Sequence, residues 1–305
     1  MKALEQESGM ALLIVLAVTA LVTALISELA FSTLVDLRLA ETSRDSNRAF
    51  YLAKGGIEVG RKLLLNDQND YDGLDEPWAR GVSHYAIDDV SAVSLTLTPL
   101  DGRINLNGLI GPSGNVDSVI KGRCIRLFEA LEIKNPQAHV DALIDWLDAD
   151  EIPQPEGAES RYYVHQDPSV RCQNGPMESL EELGLIAGFS SEEIGRLKNH
   201  VTLYGDTQIH LNSATQEVLS ALAEEMDRET AQRLVEVAAR SPFRSLEDLK
   251  TLPGWESFYW AINTQLRLQC QYYQISSEAR VSDGRSRIRA IVDKKKNILL
   301  SFQAR

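Results

Sequence analysis

Carboxylates dominate the one stretch of this chain whose side chains could do concentrated chemistry. Between Asp141 and Glu182, eleven acidic residues (Asp141, Asp145, Asp148, Asp150, Glu151, Glu156, Glu159, Asp167, Glu178, Glu181 and Glu182) are opposed by Arg161 and Arg171 alone. Eleven against two leaves −9, most of the chain's formal charge of −13. Many oxygen ligands with few competing cations suit calcium, which takes six to eight oxygens in adaptable geometry. Zinc fits badly, because His165 and Cys172 are the only soft ligands in the loop over 148–176. The spacing is not that of an EF-hand, which needs D-x-D-x-D-G and a glutamate twelve along. A solvated acidic surface loop is the alternative, and the residues themselves leave it open.

Other chemistry is hard to find. No G-x-S-x-G elbow, P-loop, H-E-x-x-H or dinucleotide fingerprint occurs. Two carboxylates about 5–10 Å apart could serve a glycosidase, but any dense acidic loop contains such pairs by chance. The chain therefore reads as a non-enzyme. Its three cysteines, Cys124, Cys172 and Cys270, lack C-x-x-C spacing. An oxidising compartment would permit one disulfide, with Cys124–Cys172 the preferred pair because both fall in the same helical region; burial as free thiols is the other outcome.

The elements that must position this loop begin with a long helix. Residues 10–27 (MALLIVLAVTALVTALIS) carry no charge, and a helix of that length spans roughly 27 Å, near the hydrocarbon thickness of a bilayer. After Glu28, apolar residues continue at helical spacing (Leu29, Leu34, Leu37, Phe50, Leu52, Ile57), with charges on the other faces. The pattern predicts one helix, membrane-embedded in its first half and amphipathic in its second.

Residues 82–99 alternate as strands, Val93, Leu95 and Leu97 opposing Ser94, Thr96 and Thr98. Residues 268–280 and 286–303 also read as strands, joined by the turn Ser282-Asp283-Gly284. Between these β portions lies a mostly helical block over about 101–266. It contains Val140, Leu143, Ile144 and Leu147 as an apolar helix stripe, with Asp141, Asp145 and Asp148 on a neighbouring face. A loop rich in proline and glycine follows. At 305 residues and 33.9 kDa the chain is long enough for two lobes. A hydrophobic share of 44% with 25% charged residues excludes a disordered or polytopic membrane protein. With 44 acidic against 31 basic side chains, it is also a poor candidate for gripping phosphate backbones.

The pattern D-x-x-I-x-L-N occurs twice, at Asp101–Asn107 and Asp206–Asn212. Asn107 and Asn212 are each placed to cap a following helix, through duplication or independently. The tract 211–255 resembles a helix-hairpin-helix repeat, with its Asn-x-Ala start and its Phe243…Asp248-Leu249…Pro253-Gly254 turn. In DNA-binding members a Gly-x-Gly hairpin grips phosphate. Here Trp255 and Glu256 follow Gly254, and residues 206–256 hold ten acids against five bases, so the tract reads as a packing module that binds no nucleic acid.

A polar leader ends at Gly9 directly before the apolar run, and Gly9-Met10-Ala11-Leu12-Leu13-Ile14 resembles the type IV prepilin processing site. That resemblance implies cleavage by prepilin peptidase between Gly9 and Met10, with the helix retained. A plain signal anchor would be the simpler reading. In most pilins the fifth mature residue is glutamate, a costly charge in the membrane that pairs with the terminal ammonium of the neighbouring subunit. Here that position is Ile14. The departure, together with Asp145-Trp146-Leu147-Asp148-Ala149-Asp150, Gly157-Ala158-Glu159, Tyr162-Tyr163, Asn174-Gly175-Pro176 and Ser179-Leu180-Glu181-Glu182-Leu183, resembles the K-type minor pseudopilins of the type II secretion system.

The resemblance implies an α+β pseudopilin fold: a long N-terminal helix packed on a small antiparallel sheet, with a large all-α domain inserted. The expected divisions are a leader (1–9), a transmembrane and stalk helix (10–60), and a core (61–100 with 267–305). The inserted domain (101–266) would carry the acidic loop (148–176) and the hairpin-like region (206–256). The family's loop binds calcium, for which Asp148, Asp150 and Glu159 are the first candidate ligands and Glu151, Asn174 and Glu181 the weaker ones. Implied partners are the I-type and J-type minor pseudopilins, with H-type a further candidate. The implied place is the bacterial inner membrane, single-pass, with the C-terminal domain in the periplasm. The implied role is nucleating and capping the pseudopilus tip. A competence-type DNA receptor, a signal-anchored enzyme and a type IV minor pilin are the competing classes.

Overall fold

The computed structural model of the chain describes residues 2–166, 169–252 and 254–305, with side chains described for all of these except 2–9 and 256–258. Helix α1 (Lys2–Leu65) is followed by the single turn α2 (Pro77–Arg80) and the strands β1 (Val82–Ala86), β2 (Ser91–Pro99) and β3 (Ile104–Asn105). Then come α3 (Ser118–Ala130), α4 (Pro136–Leu147), α5 (Ser160–Val164), α6 (Ser191–Leu197), β4 (Val201–Thr202) and β5 (Ile209–His210). Helices α7 (Gln216–Ser220), α8 (Arg228–Arg240) and α9 (Glu256–Ile262) and strand β6 (Leu266–Arg267) complete the insertion. The chain ends in β7 (Tyr272–Val281), β8 (Gly284–Asp293) and β9 (Ile298–Ala304).

Two hydrophobic cores divide these elements. The first gathers Ala49, Ala53, Ile57 and Leu64 of α1 against Leu95, Leu97, Tyr273, Ile275, Ala279, Ile288, Ala290 and Val292 of an antiparallel sheet ordered β1-β2-β7-β8-β9. Trp78 from α2 closes one end, its ring centroid 5.2 Å from that of Tyr273. The second core is built only from inserted residues, Ile104 through Leu266. The α+β architecture with an inserted lobe is thus as the sequence suggests.

Three local expectations are corrected. The stripe of α1 that meets the sheet keeps the expected Ile57, with Phe50 and Leu52 partly buried beside it, but consists mostly of small residues, Ala49, Ala53, Gly56 and Gly60, with Asp45 and Leu64. Leu29, Leu34 and Leu37 are 69%, 61% and 53% exposed. Gly56 and Gly60 let the helix lie close: a Cβ at Gly60 would sit 2.9 Å from Ile275 Cγ2, and one at Gly56 would strike the Ser277 hydroxyl. Secondly, 286–303 is not one strand but the hairpin β8–β9, turned by Lys294-Lys295-Lys296-Asn297 with Asn297 at φ +53°. Thirdly, Asn107 and Asn212 cap no helix. The Asn107 amide brackets the backbone of Met177 (Oδ1 from N, 2.9 Å; Nδ2 to O, 2.9 Å). Asn212 does the same to Phe243 (2.9 Å both ways). The two D-x-x-I-x-L-N segments also share a parallel two-residue pairing, Ile104 with Val201 and Ile209 with Leu266. They are equivalent tertiary clasps.

The most apolar window of α1, of mean hydropathy 2.6, is entirely unburied, and among the described residues one helix is long and apolar enough to cross a membrane. Ile14 and Met10 are 59% and 61% exposed. The side-chain environment of Gly9 and the rest of the leader lies outside the described residues.

The lobe joins the core through buried polar groups. Asp101 accepts from the amides of Gln271 (2.9 Å) and Tyr272 (2.7 Å) and from Arg267 (2.9 Å). Asp72 accepts from Lys294 (2.8 Å) and the Cys270 amide. His210 is fully buried. Its Nε2 faces the carbonyls of Asp72 (3.1 Å) and Leu268 (3.0 Å), so it donates there, and Nδ1 accepts from the Ser213 hydroxyl (2.7 Å).

Two outcomes are expected. In urea titrations of the detergent-solubilised protein, Gly60→Val should cost roughly 1–3 kcal/mol by overpacking. Gly55→Ala, where a Cβ meets nothing within 4 Å, should gain roughly 0.5–1 kcal/mol. Burial holds His210 down to about 4 from the usual 6.5. Between those values the unfolded chain binds the extra proton, so stability falls as pH drops through that window. Imidazole NMR should show His210 unprotonated at pH 5.5.

Candidate metal centre in the acidic loop

Helix α4 starts at Pro136, whose missing N–H costs nothing at a first turn, and is buried from His139 through Leu147. Its acids, read from sequence as sharing a face beside the apolar stripe, are therefore enclosed: Asp141 is 1% exposed and Asp145 0%. Both organise the loop that follows. Asp141 takes Lys121 Nζ (3.0 Å), Gln137 Nε2 (2.7 Å) and the Glu156 amide (3.4 Å). Asp145 receives the Gln154 amide on both oxygens (2.9 and 3.2 Å). Gly157 passes so close to Asp145 that a Cβ would overlap the carboxylate. The sequence reading places neither acid in this anchoring role; the signal lay in their position among the apolar residues Val140, Leu143, Ile144 and Leu147 of the helix.

Beyond Asp145 the donors thin out to the Asp150 amide on Asp148 and the Ile152 amide on Asp150 Oδ1 (2.8 Å). One carboxylate oxygen each from Asp148, Asp150 and Glu159 lies within 4.8 Å of the others. Asp148 is 7% and Glu159 5% exposed; Asp150 is exposed. Asp148 Oδ1, both oxygens of Glu159 and Asn174 Oδ1 are buried without a hydrogen-bond partner. Burial, then the neighbouring carboxylates, pushes Asp148 up to about 6 and Glu159 up to about 7. Glu151 and Asn174 adjoin the trio. Asn174 Nδ2 donates to Glu151 Oε1 (3.0 Å) and the Asp150 carbonyl (3.2 Å), and the Ser160 hydroxyl donates to Glu151 (2.8 Å). Asn174 Oδ1 is thereby left free for another partner, held by a backbone at φ +46°.

Glu181 is not brought to this cluster. It is exposed and accepts from the Ser179 hydroxyl, while Glu182 caps the same turn and faces Trp146 Nε1 (3.4 Å). Of six candidates, five converge and one does not. The converging ligand atoms are oxygens, carboxylates except for the Asn174 amide, with those of Asp148 and Glu159 buried, so what fits them chemically is a hard cation of adaptable coordination. Two other acid-bearing groups, Asp72 with His210 and Cys270, and Asp67 with Asp72 and Glu76, also gather ligand atoms. Lys294 already bridges Asp67 and Asp72 (2.8 Å each), so no cation is needed there.

The preferred Cys124–Cys172 pair is not formed. All three cysteines are free and buried. Cys172 turns its thiol to the Asp145 carbonyl (3.6 Å), and Cys124 lies in the lobe's core. Burial pushes Cys124 up to about 12 and Cys172 to about 11, so neither is a nucleophile at neutral pH.

Two family profiles described as "Type II secretion system (T2SS), protein K" match residues 102–206 and 209–269. Together they cover more than half of the chain. The type II secretion system protein K of Pseudomonas aeruginosa is 30% identical, over 98% of this chain and 92% of its own length. That of Aeromonas hydrophila is 24% identical, over 95% and 94%. Among solved structures, a chain of the GspK-GspI-GspJ complex from enterotoxigenic Escherichia coli superposes with a TM-score of 0.69. The match covers 87% of this chain and 99% of that one at 15% identity, which shows a common fold. This chain belongs to the protein K family of the type II secretion system, and is a minor pseudopilin of that machinery.

Proposed function

We propose that this subunit caps the tip of the periplasmic pseudopilus and helps to initiate its assembly, supporting export of folded proteins across the outer membrane. The observation that carries this reading is where the lobe is rooted. Gly284, at one end of β8, lies against the backbone of Asp45 and Ser46. At the other end of β8, the turn residue Asn297 accepts from Arg61 (2.9 Å). Pro99 pairs with Tyr273 and Tyr272 with Asp293, so the chain leaves and rejoins the sheet at the Arg61 end. The lobe thus grows from the end of the core farthest from the apolar helix, where its bulk leaves no room for a subunit stacked directly above.

Ile14 suits the same place. A subunit without an acid at that depth has nothing to offer the ammonium of a subunit ahead of it, so it goes in first. Prepilin peptidase would cut between Gly9 and Met10 and leave α1 as a single-pass anchor in the inner membrane, the remainder facing the periplasm. The solved relative comes from a complex with GspI and GspJ. By that likeness, I-type and J-type pseudopilins would pack along the exposed Leu29, Phe31, Leu34 and Leu37 of α1, with the H-type subunit below.

The loop cluster would hold a structural calcium ion through Asp148, Asp150 and Glu159, with Glu151 and Asn174 completing the protein's share. Glu181 has no part in it. The ion would cancel the repulsion among buried carboxylates and so fix the loop against α4.

Calcium at about a hundredfold its dissociation constant should stabilise the protein by about 2.7 kcal/mol, read as a higher melting temperature that a chelator reverses. The double variant Asp148→Asn, Glu159→Gln should lose that response, yet melt higher than the wild type in chelator because the repulsion is gone. A wild type indifferent to calcium refutes the site. For the tip, gold-labelled copies should sit only at filament ends, and Ile14→Glu should let them enter the shaft. Wild-type label spread along the shaft refutes the cap.

A further inference from the structure

In a chain of net charge −13, the face of the sheet turned away from α1 is basic. Along β7 and β8 the exposed side chains of that face include Arg280, Arg285, Arg287 and Arg289, alternating with the buried Ala279, Ser286, Ile288 and Ala290. Arg280 lies directly across from Arg285, and Arg287 exchanges both backbone hydrogen bonds with Arg305 (2.8 Å each). Like charges in such cross-strand positions destabilise a sheet, and nothing in the core beneath requires them. Glu278 answers Arg287 (2.7 Å). Among the described residues Arg285 and Arg289 have no acidic partner. Arg287, Arg289, Gln303 and Arg305 line a cleft of about 90 Å³ on this face.

Guanidinium groups in rows at strand spacing present paired donors to carboxylate or phosphate. Their height above the membrane decides between the two. The β8 end nearest the bilayer touches α1 at Asp45 and Ser46. A helix from Ser27, where the apolar run stops, to Asp45 rises roughly 27 Å, several times the Debye length of about 8 Å at physiological salt. Lipid phosphates are out of reach of an upright α1.

We infer that the outer face of this sheet, centred on Arg285, Arg287 and Arg289, is a docking surface for a carboxylate-rich surface of a partner protein. It stands apart from the metal cluster and from the apolar side of α1, and the charge complement identifies its occupant as acidic.

The test uses the full-length protein in neutral phosphatidylcholine nanodiscs, with poly-L-glutamate as the probe. Binding should be measurable at about 50 mM salt and weaken at least about tenfold by about 300 mM. The triple variant Arg285→Gln, Arg287→Gln, Arg289→Gln relieves repulsion and so keeps its fold; it should bind at least about tenfold more weakly. Arg233→Glu with Arg240→Glu, exposed on α8, should bind as the wild type does. Absence of binding at low salt, or unchanged binding by the triple variant, overturns the proposal. So does preferential binding to phosphatidylglycerol vesicles over polyglutamate, which would assign the arginines to lipid.

Discussion

Taking a carboxylate out of water costs several kcal/mol unless donors or a cation replace the lost hydration, and among its described residues this chain buries Asp45, Asp72, Glu76, Asp101, Asp141, Asp145, Asp148, Glu159 and Asp293. Seven of the nine are met by the fold itself: Asp45 by Arg44, Glu76 by the Gly73 amide and Trp78, Asp293 by the Lys296 amide and Gln271. Asp72 and Asp101 draw backbone amides and a cationic side chain across the seam between core and lobe. Asp141 and Asp145 draw the amides of Glu156 and Gln154 down onto α4. That anchoring carries the loop back over the helix end and delivers Asp148 and Glu159 into the same dry space, where among the described residues Asp148 Oδ1 and both oxygens of Glu159 meet no donor. The loop's conformation and its unmet charge are therefore one arrangement, and a cation is the component that would complete it.

The same demand ties the two cores together. The lobe does not rest on the sheet through a broad apolar interface. Its contact is a set of directional bonds around Asp101, Asp72, His210 and Arg267, where the chain crosses. Such bonds fix orientation more than they add net stability. Under the proposed capping role, that kind of joint would hold the lobe at a set angle to the filament.

What could be read in the sequence was whatever is local and periodic. The uncharged run 10–27, the alternation over 91–99, and the turn at Ser282–Gly284 follow from side-chain spacing alone. The buried stripe of α1 was legible only at Phe50, Leu52 and Ile57, because alanine and glycine carry little hydropathy, yet their smallness is what admits the sheet; Leu29, Leu34 and Leu37, more apolar, face outward. Asn107 and Asn212 looked like caps because a cap needs only near neighbours, whereas their true partners are Met177 and Phe243. The second turn in 286–303 was hidden by a lysine run, one member of which, Lys294, is drawn inward by Asp67 and Asp72. At the site, composition pointed to the loop and to the oxygen character of its ligands. Only the path of the chain separates Glu159, which turns inward, from Glu181, which does not.

Strands β2 and β7 are hydrogen-bonded neighbours from Ser91–Val281 to Pro99–Tyr273, so the entire lobe occupies the place of a hairpin turn. Closing a loop of that length before it has structure of its own is entropically slow. On that argument, zippering of this central ladder is expected to follow condensation of the insertion, which draws its two ends side by side. The crown would then be finished before the stem, and a substitution that keeps the crown from condensing would also leave the central ladder of the stem open.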